Sequence, residues 1–362
     1  MVFNRGNKLC RLDITVSGEK IDNVKSFKYL GFSIGSKNCS LSDTCRDLSI
    51  KTKRAIFALN SKIKLSCIPV KLALKIFNTQ LEPILLYGAE VWGPYVFTNQ
   101  ANWEKLETEK VHTQFLKRIL GCDIHTSNVM TRTELGRSPL YCKVIRKTVS
   151  FIQSIVAKPD SLVYEALQYE KVINDDKNIF QMIKTFTPFH GIDLKTFGSL
   201  TKSDIFRQIE ACYNEIWRTE LANLSKAETY KKVKSNIGLE TYLSNVKNAK
   251  HRKSLSRLRL SNHQLMIEKG RHHKKPIPRT ERLCKFCKVV EDELHFIVSC
   301  DLFENERESL FEACRNSSAL FEGMDDAVKL IFILTNEDTV IEPRLGNFVY
   351  NSFRKRSIEL EK

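Results

Sequence analysis

Four residues of this 362-residue chain have the types and spacing of a metal site: Cys284, Cys287, His295 and Cys300. Cys284-Lys285-Phe286-Cys287 is a Cys-x2-Cys knuckle, and His295 and Cys300 follow after seven and four intervening residues, so four ligands fall within 17 residues. Two thiolates from a tight turn and an i to i+5 His/Cys pair on a following helical turn can converge on a tetrahedral Zn²⁺, which imposes no other geometry. Leu294, Phe296 and Ile297 supply a small apolar shell. Because all four positions are filled by the protein, the expected role of the ion is structural, whereas a catalytic zinc keeps one position open. The expected cofactor is Zn²⁺.

No other constellation predicts chemistry. Polymerase-type catalysis needs paired carboxylates for two metal ions, and the chain offers Asp175-Asp176 and Asp325-Asp326. The first is followed by Lys177 and Asn178 where such a hairpin needs an apolar strand, and the second reads as a helix N-terminus, where acids suit the dipole. There is no phosphate-binding glycine loop or serine elbow, and His272-His273 lies in a basic, exposed loop. No catalytic residue is assigned, and the chain reads as a non-enzyme. Eleven cysteines, an odd number, with Cys67, Cys122, Cys142 and Cys212 standing singly in apolar or helical contexts, argue against a secreted disulfide framework and for reduced thiols.

The formal net charge of +16 is unevenly distributed. Lys247 to Lys288 carries 14 Lys/Arg against Glu268 and Glu281, while Glu291 to Glu342 carries 14 acids against three bases. Lys51 to Lys75 adds seven bases and no acid. Such blocks favour polyanionic partners, and the candidate nucleic-acid contacts are Lys51, Lys53, Arg54, Lys250, Arg252, Lys253, Arg257, Arg259, Arg271, Lys274 and Lys275. Tyr29, Trp92 and Tyr95 could touch bases or sugars, against core packing as the plainer role. The competing reading is a zinc-stabilised protein-interaction module, in which the acidic 291–342 segment covers the basic 247–288 segment.

The elements that position these residues are mainly helical, after a small N-terminal β element. Residues 9–16 and 20–24 read as strands around Ser17-Gly18, and Phe27 to Ile34 as a third. From Leu41 the apolar spacing lengthens to that of a helix, with Leu48, Ala55, Ile56, Leu59 and Ile63 on one face and Ser40 as a cap. Pro69 opens the next helix, Pro83 interrupts it, and residues 99–120 make another that Gly121 caps. Helices are also predicted over 139–157, 160–170 and 203–234, and a loop over Gly270 to Pro278. The N-terminus lacks the pattern of a signal peptide, and no apolar run reaches a span of roughly 18 residues. The expected location is intracellular, nucleus and/or cytoplasm.

Several strings in order resemble the C-terminal region of non-LTR (LINE-type, jockey-like) retrotransposon reverse transcriptases. Phe27-Lys28-Tyr29-Leu30-Gly31 looks like the primer-grip strand, making Tyr29, Leu30 and Gly31 primer-grip-like, and Leu81 through Trp92-Gly93 looks like the start of the thumb. Glu134-Leu135-Gly136-Arg137-Ser138-Pro139-Leu140 is similar to the linker signature. Arg259-Leu260-Ser261-Asn262-His263 and Ile267 to His272 precede the Cys/His unit as in these elements. Val2 to Gly6 resembles the middle of the strand before the primer grip, which implies that the chain begins inside such a polymerase. The resemblance implies a palm remnant at 1–36, a thumb-like helical bundle at 37–121, a helical linker at 122–250, and a basic segment with a CCHC zinc domain at 251–362. The fingers, the palm aspartates and the endonuclease have no counterpart, so it implies a nucleic-acid-binding and zinc-binding fragment without its own polymerase centre, the alternative under the same resemblance being a non-functional transposon remnant. Its partners would be RNA, DNA or their hybrid, with a separate polymerase chain needed for synthesis. The seven-residue gap before His295 departs from the four-residue gap of the retroviral nucleocapsid knuckle.

Overall fold

A computed structural model describes residues 13–36, 41–97, 99–172 and 201–362. It is mainly helical, with two small β-hairpins at its start. The strand expected over residues 9–16 is described only from Ile14, and Val2 to Gly6 and Asp175-Asp176 lie outside the described residues.

β1 (Ile14–Val16) pairs antiparallel with β2 (Glu19–Ile21) across Ser17-Gly18. The expected third strand is instead a hairpin, β3 (Ser26–Tyr29) and β4 (Phe32–Gly35), with Tyr29 opposite Phe32. Leu30 and Gly31 form its two-residue turn with φ of 47° and 91°. Positive φ at both positions is what a tight hairpin needs to match strand twist, and Asn-Gly normally supplies it. Leu30 hides that signal.

The two compact units are each built from three stretches: Met1–Lys62, Ile76–His112 and Ser138–Ile216 in one, and Ile63–Lys75, Thr113–Arg137 and Trp217–Lys362 in the other. The sequence boundaries after residues 36, 121 and 250 do not coincide with them.

In the first unit, β4 is fastened to the Ser42–Lys62 helix, because the Ser33 amide donates to Thr44 Oγ1 at 2.9 Å and that hydroxyl donates back to the Ser33 carbonyl at 3.0 Å. The helix buries Cys45, Leu48, Ser49, Thr52 and Ile56, whereas Ile63 is exposed, so its inner face is rotated from the purely apolar stripe towards hydroxyl side chains. Thr52 and Ser49 can line it because each returns its hydroxyl to a backbone carbonyl four residues back. After Val70–Ile76 the chain makes a π turn, Phe77–Leu81, before Glu82–Leu85, as expected for helix interrupted at Pro83.

Helix Ala89–Val96 lies close against Leu140–Val156 because Gly93 has no side chain; a Cβ there would stand 2.2 Å from Val144 Cγ1. Trp92 and Trp103 stack beside it, with Phe97 and Tyr141 against Trp103. The buried Glu109 carboxylate ties this core together, accepting from Trp103 Nε1 at 2.9 Å and from the Leu140 amide at 2.8 Å. Helix 99–120 is split into Gln100–Trp103 and Glu107–Leu120, and Gly121 ends the latter with φ of 71°.

The second unit packs Ala249–Arg259 and Glu304–Ser317 on the Ile341–Glu361 helix. The predicted 203–234 helix is broken, running over Lys202–Ala222 and then Glu228–Val233 after Ala227 at φ of 101°. At its centre Arg259 is fully buried. Its Nε donates to Glu134 Oε1 at 2.7 Å, Nη1 to the Leu334 carbonyl at 2.7 Å and Nη2 to Glu240 Oε2 at 2.5 Å. Burial alone would lower its pKa, but the carboxylates of Glu134 and Glu240 outweigh it and hold it above the ordinary arginine value. Gly136 belongs to the same junction: a Cβ there would meet the Leu239 amide nitrogen at 2.7 Å, next to the bridge between Leu135 and Leu239. Among the described residues no helix is long and apolar enough to cross a membrane.

Candidate metal centre

The second unit brings Cys284, Cys287, His295 and Cys300 together, with one ligand atom of each lying within 4.8 Å of all the others. The knuckle is made locally. Leu283 pairs with Val290, the Cys284 amide donates to the Val289 carbonyl at 2.7 Å, and the Lys288 amide donates to the Cys284 carbonyl at 3.0 Å. Lys288 closes this turn at φ of 60°. The turn aims the Phe286 and Cys287 amides at the Cys284 sulfur, an arrangement that favours thiolate.

The other two ligands come from a π turn, His295–Ser299, whose closing bond runs from the Cys300 amide to the His295 carbonyl at 2.8 Å. Five residues of regular α-helix would advance by about 500°, leaving the two side chains about 140° apart. The wider turn brings them to the same side, as π-bulges commonly do at functional sites. Asp292 starts it, accepting from the His295 amide at 3.0 Å. Arg307 holds its end, donating from Nε to the Ile297 carbonyl at 2.8 Å and from Nη2 to the Cys300 carbonyl at 2.7 Å. Phe296 points the other way and packs between Phe303, Phe348 and Phe353.

The donor set fits a metal. Cys287 and Cys300 sulfurs stand 3.7 Å apart, far beyond a disulfide bond and close to the roughly 3.8 Å edge of a tetrahedron with metal–sulfur bonds of about 2.3 Å. His295 Nε2 is buried with no hydrogen-bond partner, while Nδ1 lies 3.5 Å from Ser299 Oγ. A buried, orphaned ring nitrogen beside three sulfurs lacks only a cation to satisfy it. Burial pushes the Cys284 thiol up and the Cys300 thiol up to about 12, and keeps His295 on the neutral side. A bound cation would reverse the thiol shifts by stabilising thiolate. The cluster is compatible with zinc.

The predicted nucleic-acid contacts divide by exposure. Lys51, Lys53 and Arg54 are exposed, although Lys53 is paired with Glu107 at 2.9 Å. Lys250, Arg257, Lys274 and Lys275 are also exposed. Lys253 is half-buried with Nζ on Ser66 Oγ, and Arg271 is half-buried between the Ser225 carbonyl and Glu268. Arg252 and Arg259 must be removed from the list of surface contacts. Arg252 is buried and spends its guanidinium on the carbonyls of Val246, Lys247 and Ile68, and Arg259 spends its own as described above. Trp92 is likewise buried, with its Nε1 on the Tyr87 carbonyl, while Tyr95 bonds Glu170 and Tyr29 is 60% exposed. Leu30 and Gly31 form a surface turn, against which Tyr87 packs and donates to the Leu30 carbonyl.

Sequence reasoning missed Asp292 and Arg307. Asp292 carried a signal, since Asp three residues before His295 is a helix-start pattern. Arg307 carried none, because its acceptors are backbone carbonyls. No protein-family model, no curated protein and no solved structure matches this chain.

Proposed function

We propose that this chain is a nucleic-acid-binding module whose C-terminal part is ordered by one structural Zn²⁺ on Cys284, Cys287, His295 and Cys300, with no polymerase centre of its own. The observation that carries the zinc assignment is the four-ligand cluster with its orphaned His295 Nε2. Three thiolates and one imidazole are a donor set that selects zinc among common divalent ions, and with no open position the ion orders structure instead of activating water.

The exposed cations of the 247–288 segment support the nucleic-acid reading, together with where the acids of 291–342 turn. In the rival protein-interaction reading these acids cover that segment. Instead Glu291 pairs with Arg356, Glu306 with Lys355, Glu312 with Arg344, and Glu308 and Glu322 with Arg315. From within the segment the ion pairs to them among the described residues are those of Arg279, beside Asp292, and His263, beside Glu293, while the Met266 amide donates to Glu291 and the buried Arg259 acts on Glu342. Lys250, Arg257, Lys274 and Lys275 are therefore left for polyanion.

Binding to duplex DNA, RNA or hybrid is expected to weaken steeply with salt. Four neutralised phosphates imply a log-log slope of about −3 to −4, and reversing Lys250, Arg257, Lys274 and Lys275 to glutamate should flatten it. Unchanged affinity and slope in a variant that keeps its zinc would overturn the reading in favour of a protein partner.

The chain alone is also expected to incorporate no nucleotide on a primed template with Mg²⁺ or Mn²⁺. Asp325 serves as a helix cap, accepting from the Val328 amide at 2.9 Å, and no second carboxylate motif accompanies Asp175-Asp176 in sequence. Incorporation above background that Asp175→Ala abolishes would sink this part of the proposal.

A further inference from the structure

The unit that carries the Cys/His cluster also has an open groove of about 750 Å³. It is walled by the end of the Ala249–Arg259 helix, the turn after it, the Cys122-Asp123 stretch and the last turns of the Ile341–Glu361 helix. That size is ordinary for a small-molecule cleft. Its chemistry is mixed in an informative way.

Three arginines line it, and they are not equivalent. Arg356 is locked by two 2.7 Å bonds to Glu291. Arg257 gives Nε to the Gly121 carbonyl at 2.6 Å, which fixes its direction and leaves its terminal nitrogens. Neither Arg257 nor Arg354 has a carboxylate partner among the described residues, and both are exposed. The Arg354 guanidinium lies over the Tyr350 ring, 5.8 Å from its centre, with His251 against the same ring, and Phe353 continues the wall while stacking on Phe296 and His263. Asp123 lines the same groove, its carboxylate accepting from Asn262 Nδ2 and the His125 amide.

Two unpaired guanidinium groups suit phosphate, an aromatic wall suits a planar ring, and a fixed carboxylate suits an amine or hydroxyl donor. A bare anion would use the first and be repelled by the last. A nucleotide uses all three.

We propose that this groove receives one unpaired nucleotide of a nucleic-acid strand, with its base taking the place of the Arg354 guanidinium over Tyr350 and its phosphate on Arg257 and the displaced Arg354. The inference rests on the nucleic-acid reading above and adds to it an address and a preference for single strands. A paired base is already stacked on both faces and cannot also lie against Tyr350, whereas charge alone grips duplex and single strand alike.

The test uses the full zinc-loaded chain, with labelled oligouridylate, oligothymidylate and a duplex of equal length titrated at low salt. Free adenosine and uridine monophosphate are the small-molecule arm. Tyr350→Leu removes the stacking ring without changing charge and is expected to weaken single-strand binding by roughly tenfold, with duplex binding changed by less than about threefold. Tyr350→Phe should retain both affinities. Arg354→Gln should weaken single-strand binding and reduce its salt slope by about one. Zinc content and melting temperature equal to those of the parent chain show that each variant is folded; if Tyr350→Leu fails that check, Arg354→Gln decides.

Single-strand and duplex binding weakened equally by Tyr350→Leu, or not at all, would overturn the groove as a base site while leaving the salt-dependent reading standing. A parent chain that binds no strand or duplex at low salt overturns the nucleic-acid reading itself. In that event saturable monophosphate binding lost in Arg354→Gln would keep the groove as a site for a free nucleotide, and its absence would end the proposal.

Discussion

Replacing Cys284, Cys287 or Cys300 by serine, or His295 by alanine, is expected to release zinc and to unfold the 283–290 knuckle. Ligation in small zinc peptides contributes on the order of 10 kcal/mol, more than any single core contact, and the turn between Leu283 and Val290 has little else to hold it, whereas Arg282 and Glu291 at its ends are fastened to the Ile267 and Ile277 carbonyls and to Arg356. Leu283, Lys285, Lys288 and Val289 are exposed, and its internal order consists of one bridge and a few turn hydrogen bonds. The 295–300 half should behave differently, because Phe296, Ile297 and Val298 are buried and Arg307 clamps the backbone. Amide exchange in each variant should therefore rise most before residue 291 and least around Phe296. Cys314→Ser is the control: Cys314 is a buried thiol on the Glu304–Ser317 helix, outside the cluster, and its serine variant should keep zinc. Less than half an equivalent of zinc in the parent chain, or equal loss from Cys314→Ser, would overturn the four-ligand assignment.

Arg259→Ala is expected to be as damaging without touching the metal. Among the described residues it removes the ion pair of the buried Glu134 and leaves that of Glu240 with Lys234. Breaking a buried ion pair by removing one member costs about 3–5 kcal/mol, which for a unit of this size lowers the melting temperature by roughly 10 °C. Arg259→Lys should recover little of it, since one ammonium cannot reproduce three bonds in a fixed fork. Arg257→Ala, two residues away and exposed, should stay within about 0.5 kcal/mol of the parent chain. Thermal unfolding of the three variants decides the matter, and an Arg259→Ala loss smaller than about 1 kcal/mol would show that the network is dispensable.

These contrasts mark what was legible in the sequence. The four ligands were, because their spacing is local and a knuckle and a helical turn place them with no help from distant residues. Pro69 and Gly121 announced a helix start and a helix end for equally local reasons. The hairpin at Tyr29 to Phe32 was hidden by Leu30, a residue that the turn chemistry does not predict. Arg252 and Arg259 of the Ala249–Arg259 helix were assigned to the surface because a run of bases does not say which of them face inward. Arg252 and Arg259 are seven residues apart and share the buried face with Leu255 and Ser256, whereas Lys250 and Arg257 lie outside it. What selects the inner pair is the position of acceptors at Ile68, Glu134 and Glu240, which only the fold brings near. The discontinuous units escaped for the same reason, since each gathers stretches far apart in the chain.

The unequal halves of the Cys/His cluster bear on how an ion would enter it. His295 and Cys300 are set by a wide turn whose carbonyls Arg307 holds, so this pair stands ready before any ion arrives. Cys284 and Cys287 sit on a stretch that ligation itself must order. His295 and Cys300 would hold an ion from backbone that is already set, whereas Cys284 and Cys287 would be ordered as they bind it. If that ordering limits loading, the rate would level off at high metal concentration, set by the folding of the knuckle and not by diffusion.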